Sequence, residues 1–277
     1  MKKVVVVGSG FGGLSITSRL KAKGFDVTLV EKQADLGGRA RTFIHNGYKY
    51  DAGPTVITAP YLIEELFSIH NESFSDYVTL LPVKPWYRFL FDSGEYIDYG
   101  DKLISTVHEI KSKYGIKKAK AYLKLLKHSK RIFNKGFTEL SDAPFESIFS
   151  MMKHLPELMK IRFDRSVYKT VDRYLNDKNL NEALSMHPLL VGGNPYSTTS
   201  IYLLIQYLEW KWGVHYSEGG TGKIVDGLES LLEKKGVEIK KNTEVKKIIT
   251  KNGKVIGIDT SQGTINCDLV VCNSDPT

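Results

Sequence analysis

Four consecutive valines, Val4 to Val7, stand near the start of the chain. A run that is apolar at every position, not at every second one, is the pattern of a strand covered on both faces. Glycines interrupt it at 8, 10, 12 and 13, and residues 14–23 then place Leu14, Thr17 and Leu20 on one helical stripe, with Gly24 as the stop. A second apolar run, Asp26-Val27-Thr28-Leu29-Val30, ends at the acid Glu31. This opening predicts a strand, a helix and a parallel strand. Further on, 87–91 and 96–99 flank the turn Asp92-Ser93-Gly94 and predict a hairpin. From about 101 to 185, and again over 201–208, apolar residues recur at spacings of three and four, which predicts helices. After Gly219-Gly220-Thr221-Gly222 an amphipathic helix over 223–235 is stopped by Gly236, and Val237-Glu238-Ile239 reads as a strand. Asn252-Gly253 predicts a two-residue hairpin turn between 245–250 and 255–259.

The glycines between the first strand and helix fit G-x-G-x-x-G through Gly8, Gly10 and Gly13. The first allows a tight turn, the second lets backbone approach a pyrophosphate, and the third lets the helix pack closely on the sheet. The free N–H groups of that helix start, with the positive end of its dipole, favour phosphate. Glu31 stands where a carboxylate accepts hydrogen bonds from ribose hydroxyls. The triplet alone leaves NAD and FAD both open. Gly37-Gly38-Arg39-Ala40-Arg41 and Tyr50-Asp51-Ala52-Gly53-Pro54-Thr55 follow at once. A flavin held extended along the protein uses such extra backbone contacts and a guanidinium. Taken singly, Arg39 also reads as a surface arginine after a Gly-Gly turn, and residues 51–54 as an ordinary turn.

Together, Gly8 to Gly13, Glu31 and Gly37 to Arg41 resemble the FAD-dependent amine oxidase and carotenoid desaturase superfamily. The stretch Asp51-Ala52-Gly53-Pro54-Thr55-Val56-Ile57-Thr58-Ala59-Pro60 narrows the resemblance to phytoene desaturases of the bacterial and fungal type. So do His187-Pro188-Leu189-Leu190-Val191-Gly192-Gly193-Asn194-Pro195, Lys211-Trp212-Gly213-Val214-His215-Tyr216 and the turn 219–222. Residues 68–185 match only loosely. The resemblance implies a Rossmann-like, doubly wound FAD-binding α/β fold with an inserted, mostly helical substrate domain carrying some antiparallel sheet. Its parts would be residues 1–75 and 211–277 for FAD and 76–210 for substrate and membrane contact.

For FAD the resemblance implies contacts from Gly8, Ser9, Gly10, Phe11, Gly12, Gly13, Glu31, Lys32, Gly38, Arg39, Gly53, Pro54 and Thr55, with the backbone of Val245 beside the adenine. It also implies a long polyene hydrocarbon substrate such as phytoene. A hydride leaves an allylic carbon for the flavin as a proton leaves its neighbour, and a quinone or oxygen takes the electrons onward. Such chemistry needs few catalytic side chains, and none is assigned; His187 reads as a core histidine satisfied by the backbone. The family pattern continues beyond Thr277 into a further FAD segment, so the chain reads as the N-terminal part of a longer enzyme. Two other readings stay open: a related flavoenzyme (amine oxidase, polyene isomerase or saturase), and a non-redox prenyl-lipid escort, which has no need of an intact pyrophosphate loop.

Composition bounds these readings. With 277 residues, 42% of them apolar and 25% charged, the chain has the make-up of a globular protein. No apolar stretch approaches the ~20 residues of a membrane-spanning helix. Met1-Lys2-Lys3 leads directly into the first strand, so no secretory signal and a cytoplasmic location are expected. Cys267 and Cys272 read as members of one strand, on opposite faces and ~17 Å apart, too far to bridge. No metal-ligand spacing is present.

The net charge of +8 is concentrated between Lys111 and Lys135, where no acid falls between Glu109 and Glu139. A solvated helix face and attraction to an anionic membrane surface are the two main readings. Nucleic acid is not expected, since no nucleic-acid-binding module accompanies the charge. Phe145, Ile148, Phe149, Met152, Leu155, Met159 and Phe163 trace one more stripe, readable as core face, membrane contact or the lining of an apolar tunnel.

Overall fold

In the computed structural model, which describes residues 1–139 and 163–274, the valine run forms β1 (Lys3–Val7). Val4, Val5 and Val6 are at most 1% exposed, as a strand covered on both faces requires. The stripe from Phe145 to Met159 lies outside the described residues. The chain divides into two units, Met1–Leu81 with His215–Thr277, and Pro82–Val214.

The first unit continues with α1 (Phe11–Ala22), β2 (Asp26–Val30), the hairpin strands β3 (Thr42–His45) and β4 (Tyr48–Asp51), α2 (Tyr61–Ser68) and β5 (Leu80–Pro82). The second unit holds the hairpin β6 (Tyr87–Leu90) and β7 (Tyr96–Tyr99), then α3 (Leu103–Phe133), α4 (Val167–Leu175), α5 (Lys178–Leu184) and α6 (Leu204–Trp212). The first unit resumes with β8 (His215–Ser217), α7 (Gly222–Lys234), β9 (Glu238–Lys240), β10 (Val245–Lys251), β11 (Lys254–Thr260), β12 (Gly263–Asn266) and β13 (Leu269–Cys272).

Four parallel strands in the order β13-β1-β2-β9 form the central sheet of the first unit. One face packs Val6, Val27 and Leu29 against Leu14 of α1, Phe67 of α2 and Leu228, Leu231 and Leu232 of α7. The other packs Val5 and Val30 against Ile258 and Cys267, under the antiparallel sheet β10-β11-β12. Asn252 and Gly253, at φ 51 and 73, make the turn between β10 and β11 in the left-handed conformation that their side chains tolerate best. Cys267 lies ahead of β13 and not within it, buried against Val5 and Val30, because its N–H is taken by the Ile256 carbonyl. Cys272 ends the strand exposed, and both thiols are free.

In the second unit the basic segment forms α3, interrupted at Gly115 (φ 84, ψ 165). Of the apolar residues interleaved with its lysines, Tyr122, Leu125, Ile132 and Phe133 face inward at no more than 2% exposure, whereas Leu123 is 42% exposed. Lys117, Lys120, Lys124, Lys127 and Arg131, at offsets of three and four, form the opposite, exposed stripe. A buried aromatic cluster joins Trp86, Tyr99, Tyr122 and Trp210, whose indole N–H donates to Tyr122 Oη at 2.8 Å. Gly100 is obligatory beside it, since a Cβ there would meet the Trp86 indole at 2.2 Å. His187 is 1% exposed, but a carboxylate partners it and not the backbone: Nε2 stands 3.0 Å from Glu209 Oε2, and Glu209 Oε1 accepts from Tyr87 Oη at 2.8 Å. No described helix is long and apolar enough to cross a membrane.

Candidate functional site

A cleft of about 1140 Å³ opens outside the carboxyl ends of β1, β2 and β13. In the strand order β13-β1-β2-β9, α1 carries the chain from β1 to β2, while β13 flanks β1 on the other side. The crevice therefore lies where the order reverses, the place at which open α/β sheets hold their ligands.

Its floor is the glycine loop. Gly8 has φ 93, which a side chain would strain, and its N–H donates to the Val30 carbonyl at 2.8 Å. Gly13 gives the close packing: a Cβ there would stand 1.9 Å from the Gly8 carbonyl oxygen. The helix ladder of α1 begins with Leu14 N–H donating to the Gly10 carbonyl, so the N–H groups of Phe11, Gly12 and Gly13 precede it. Gly10, the N-cap, offers no side-chain acceptor, and the first turn holds no acid. This helix start, which makes no side-chain cap bond, is an anion seat.

Glu31 follows β2 at 7% exposure. Its Oε2 accepts from Ser9 N–H at 2.9 Å and Ser9 Oγ at 2.6 Å, and Oε1 accepts from Gln33 N–H at 2.9 Å. Burial by itself pushes the carboxyl up, but the Ser9 hydroxyl and the N–H groups of Gln33, Ser9 and Lys32 outweigh it and hold the group below its ordinary value. Glu31 is therefore an anion at neutral pH, its Oε2 already accepting two bonds.

The wall is the turn Gly38–Ala40, entered through Gly37 at φ 103. Gly37 N–H donates to the Ser9 carbonyl at 2.9 Å, and a Cβ on Gly38 would lie 3.1 Å from Gly10 Cα, so the two glycine elements touch backbone to backbone. This contact sets Arg39 and Arg41 on the cleft. Behind them, a Cβ on Gly53 would meet the Arg39 carbonyl oxygen at 2.1 Å. Asp51 fixes that loop to the turn before α7: Oδ2 accepts from Thr221 N–H at 3.1 Å and Oδ1 from Thr42 Oγ1 at 3.0 Å. Thr221 Oγ1 also donates to the Pro54 carbonyl. Segments 170 residues apart thus brace one wall.

Of the residues expected to hold FAD, Gly8, Ser9, Gly10, Phe11, Gly12, Glu31, Lys32, Gly38, Arg39, Pro54 and Val245 line the cleft. Gly13 and Gly53 stand behind it as packing positions, and Thr55 is exposed outside the lining. Gln33, Arg41, Thr243, Asn273 and Ser274 also line it, beyond the positions the resemblance assigns to FAD. Thr243 reaches it because its N–H donates to the Glu31 carbonyl at 2.8 Å, and Asn273 because its N–H donates to the Val7 carbonyl at 2.9 Å. Arg41 had a local signal, its place in the Gly-Gly-Arg element; the others depend on long-range pairing.

A bare glycine floor, uncovered helical N–H groups, an anionic carboxylate at the end of β2 and two guanidinium groups match an adenine dinucleotide with a second phosphate-facing wall. Among the described residues no cluster of metal-ligating side chains is present.

The model of the flavin-containing amine oxidoreductase family matches residues 11–277. The chain is 40% identical over 276 residues to a lycopene-forming phytoene desaturase of Pseudescherichia vulneris, covering 99% of this chain and 56% of that protein. It is also 40% identical over 263 residues to the one of Pantoea ananas, covering 95% and 53%. The chain thus spans about half the length of the curated relatives it matches. Among solved structures, an oxidoreductase from Methanosarcina mazei superposes with a TM-score of 0.64 at 20% identity, covering 98% of this chain and 58% of that one.

Proposed function

The chain belongs to the flavin-containing amine oxidoreductase family, and from that premise we propose that it forms the FAD-binding part of a desaturase acting on phytoene or a related polyene in carotenoid biosynthesis. One observation carries this reading: 40% identity across 99% of the chain to a phytoene desaturase. The cofactor of the family is FAD. When bound, FAD supplies the two-electron acceptor for a hydride lost from an allylic carbon. A proton lost from the adjacent carbon leaves the electron pair that becomes the new double bond.

The chain's own residues bind and orient. The N–H groups of Phe11 to Gly13 take the pyrophosphate, Glu31 takes ribose hydroxyls, and Arg39 faces the phosphate side of the wall. Ser9 keeps Glu31 ionised and aimed. A quinone or oxygen would take the electrons onward. A long polyene dissolves in the bilayer, so the enzyme works at the cytoplasmic face of a membrane as a peripheral protein. The exposed stripe Lys117, Lys120, Lys124, Lys127 and Arg131 supports this, each cation near an anionic surface being worth ~1 kcal/mol within a Debye length.

Expression of the full-length protein in cells that accumulate phytoene, followed by product analysis, tests the activity: new conjugated double bonds are expected, and unchanged phytoene beside a flavin-loaded protein refutes it. Flotation with anionic vesicles should fall as salt rises. Equal binding to neutral vesicles at every salt concentration refutes the role of the stripe.

A further inference from the structure

Gly12 occupies no position of G-x-G-x-x-G, which Gly8, Gly10 and Gly13 already fill, yet a side chain there would displace that of Asn273. A Cβ there would stand 2.6 Å from Nδ2 of Asn273 and 3.1 Å from its Cγ and Oδ1. At Gly13 and Gly10 the same atom would lie 3.5 and 3.7 Å from Asn273 Oδ1. The Asn273 amide therefore lies beside the first turn of α1, next to Gly10, Gly12 and Gly13. Its backbone is fixed there by the bond to the Val7 carbonyl, one residue beyond β13. Asn273 is exposed and lines the cleft, and its side-chain amide has no hydrogen-bond partner among the described residues.

We infer that Asn273 is a direct ligand of the cofactor pyrophosphate, donating from Nδ2 to a phosphate oxygen, and that Gly12 is the position that admits it. The inference rests on the cleft being the FAD seat. The N–H groups that precede the α1 ladder are donors, and the phosphate oxygens are acceptors. An amide adds one more donor at the strand end facing the loop, while Oδ1 remains free to accept from the α1 N–H groups. The competing role is structural: a helix cap that uses Oδ1 alone.

The two roles separate in Asn273→Asp, which keeps the shape and the cap acceptor but replaces the donor by an anion. The purified flavoprotein is stripped of flavin and retitrated with FAD, following the quenching of flavin fluorescence, and the flavin-free protein is melted in parallel. Asn273→Asp is expected to raise Kd about 100-fold, and Asn273→Ala, which adds no charge, about tenfold. Melting temperatures without flavin should change little. Gly12→Ala should raise Kd in the wild-type background and add little to Asn273→Ala, because the atom it would meet is gone. Binding by Asn273→Asp and Asn273→Ala within about threefold of wild type overturns the inference and leaves the cap. Absence of FAD binding by the wild-type protein overturns the cofactor reading along with it.

Discussion

Gly10→Ala and Gly13→Ala make the same chemical change three positions apart and should fail in opposite ways. At Gly13 the new Cβ would lie 1.9 Å from the Gly8 carbonyl oxygen and 2.9 Å from its carbon, where ordinary contact begins at 3.4 Å. About 1.5 Å must open between two backbone segments, neither of which has a rotamer to change. The helix cannot drift freely: Leu14 is fully buried in the core and Ser18 Oγ donates to the Leu66 carbonyl at 2.9 Å. Overpacking costs ~1–3 kcal/mol and more where backbone is involved, against ~1 kcal/mol gained by alanine over glycine in a helix. We expect a net loss of about 2 kcal/mol and a melting temperature lower by several degrees.

At Gly10 the backbone is at φ −63, ψ 172, which alanine adopts without strain, and the nearest atom to the new methyl is Asn273 Oδ1 at 3.7 Å. The entropy lost from the unfolded chain favours alanine by ~0.4–1 kcal/mol, and the poorer N-cap opposes it by a similar amount. Stability without cofactor should stay within about 1 kcal/mol of wild type. The methyl instead occupies the pyrophosphate's approach, and Kd for FAD should rise about 100-fold, or ~2.8 kcal/mol. Thermal unfolding of the flavin-free proteins and FAD titration read the two quantities separately. A Gly10→Ala protein with wild-type affinity, or a Gly13→Ala protein with a wild-type melting temperature, refutes this division of roles.

Asp51→Ala removes the acceptor for Thr221 N–H and Thr42 Oγ1. A loss of ~1–3 kcal/mol is expected by chemical denaturation, with weaker FAD binding, because the loop that carries Gly53 against the Arg39 carbonyl loses its tie. Glu72 lies between Lys234 and Lys235, and their hydrogen bonds, with one from Tyr77, hold its carboxyl at about 2. Its folded-state value is depressed, so its stabilisation is complete above the ordinary value of 4.5 and is lost as pH falls towards 2. The stability difference between wild type and Glu72→Gln, followed by denaturant unfolding from pH 7 downward, should therefore stay constant to about 4.5 and then shrink. A difference that shrinks between pH 7 and 5 refutes the assignment.

The parts of the fold that sequence reading recovers are those with local causes. Val4 to Val7, the glycine loop and Asp26 to Val30 carry strand, turn and strand within 30 residues, and they form β1, α1 and β2. Asn252-Gly253 carries its hairpin in two residues because few side chains accept positive φ. What escapes depends on partners far along the chain. The sequence around His187 reads as a core histidine satisfied by the backbone, but its partner is Glu209, 22 residues away, brought alongside by α6. Nothing near Asp51 announces that its carboxylate will receive Thr221, 170 residues on. Cys267 continues an apolar pattern into Leu269 and reads as strand, yet its N–H turns to Ile256 and the ladder with β1 starts only at Leu269. The interleaved apolar residues of α3 form a core face, which the helical period already implies; the sign of the opposite face is equally legible, its partner less so.

The start of α1 shows why this site belongs to a ligand and not to the fold alone. A helix beginning with Ser, Thr or Asp at its N-cap is more stable by ~1 kcal/mol than one with no cap acceptor, and glycine within a helix costs ~1 kcal/mol relative to alanine. Here the N-cap is Gly10, no side chain caps it, and Gly12 and Gly13 stand in the first turn. Gly13 is required by packing, since its Cβ would enter the Gly8 carbonyl. Gly10 has no such requirement: its backbone is ordinary and a Cβ there would meet only Asn273 Oδ1, at 3.7 Å. The structure thus forgoes stabilisation at a helix start on the cleft, next to a carboxylate that Ser9 keeps charged. Bound FAD offsets the deficit, because a ligand that binds only the folded state adds RT ln(1 + [L]/Kd), ~2.7 kcal/mol at a hundredfold excess over Kd. A prenyl-lipid escort with the same fold would gain nothing from leaving that helix uncapped.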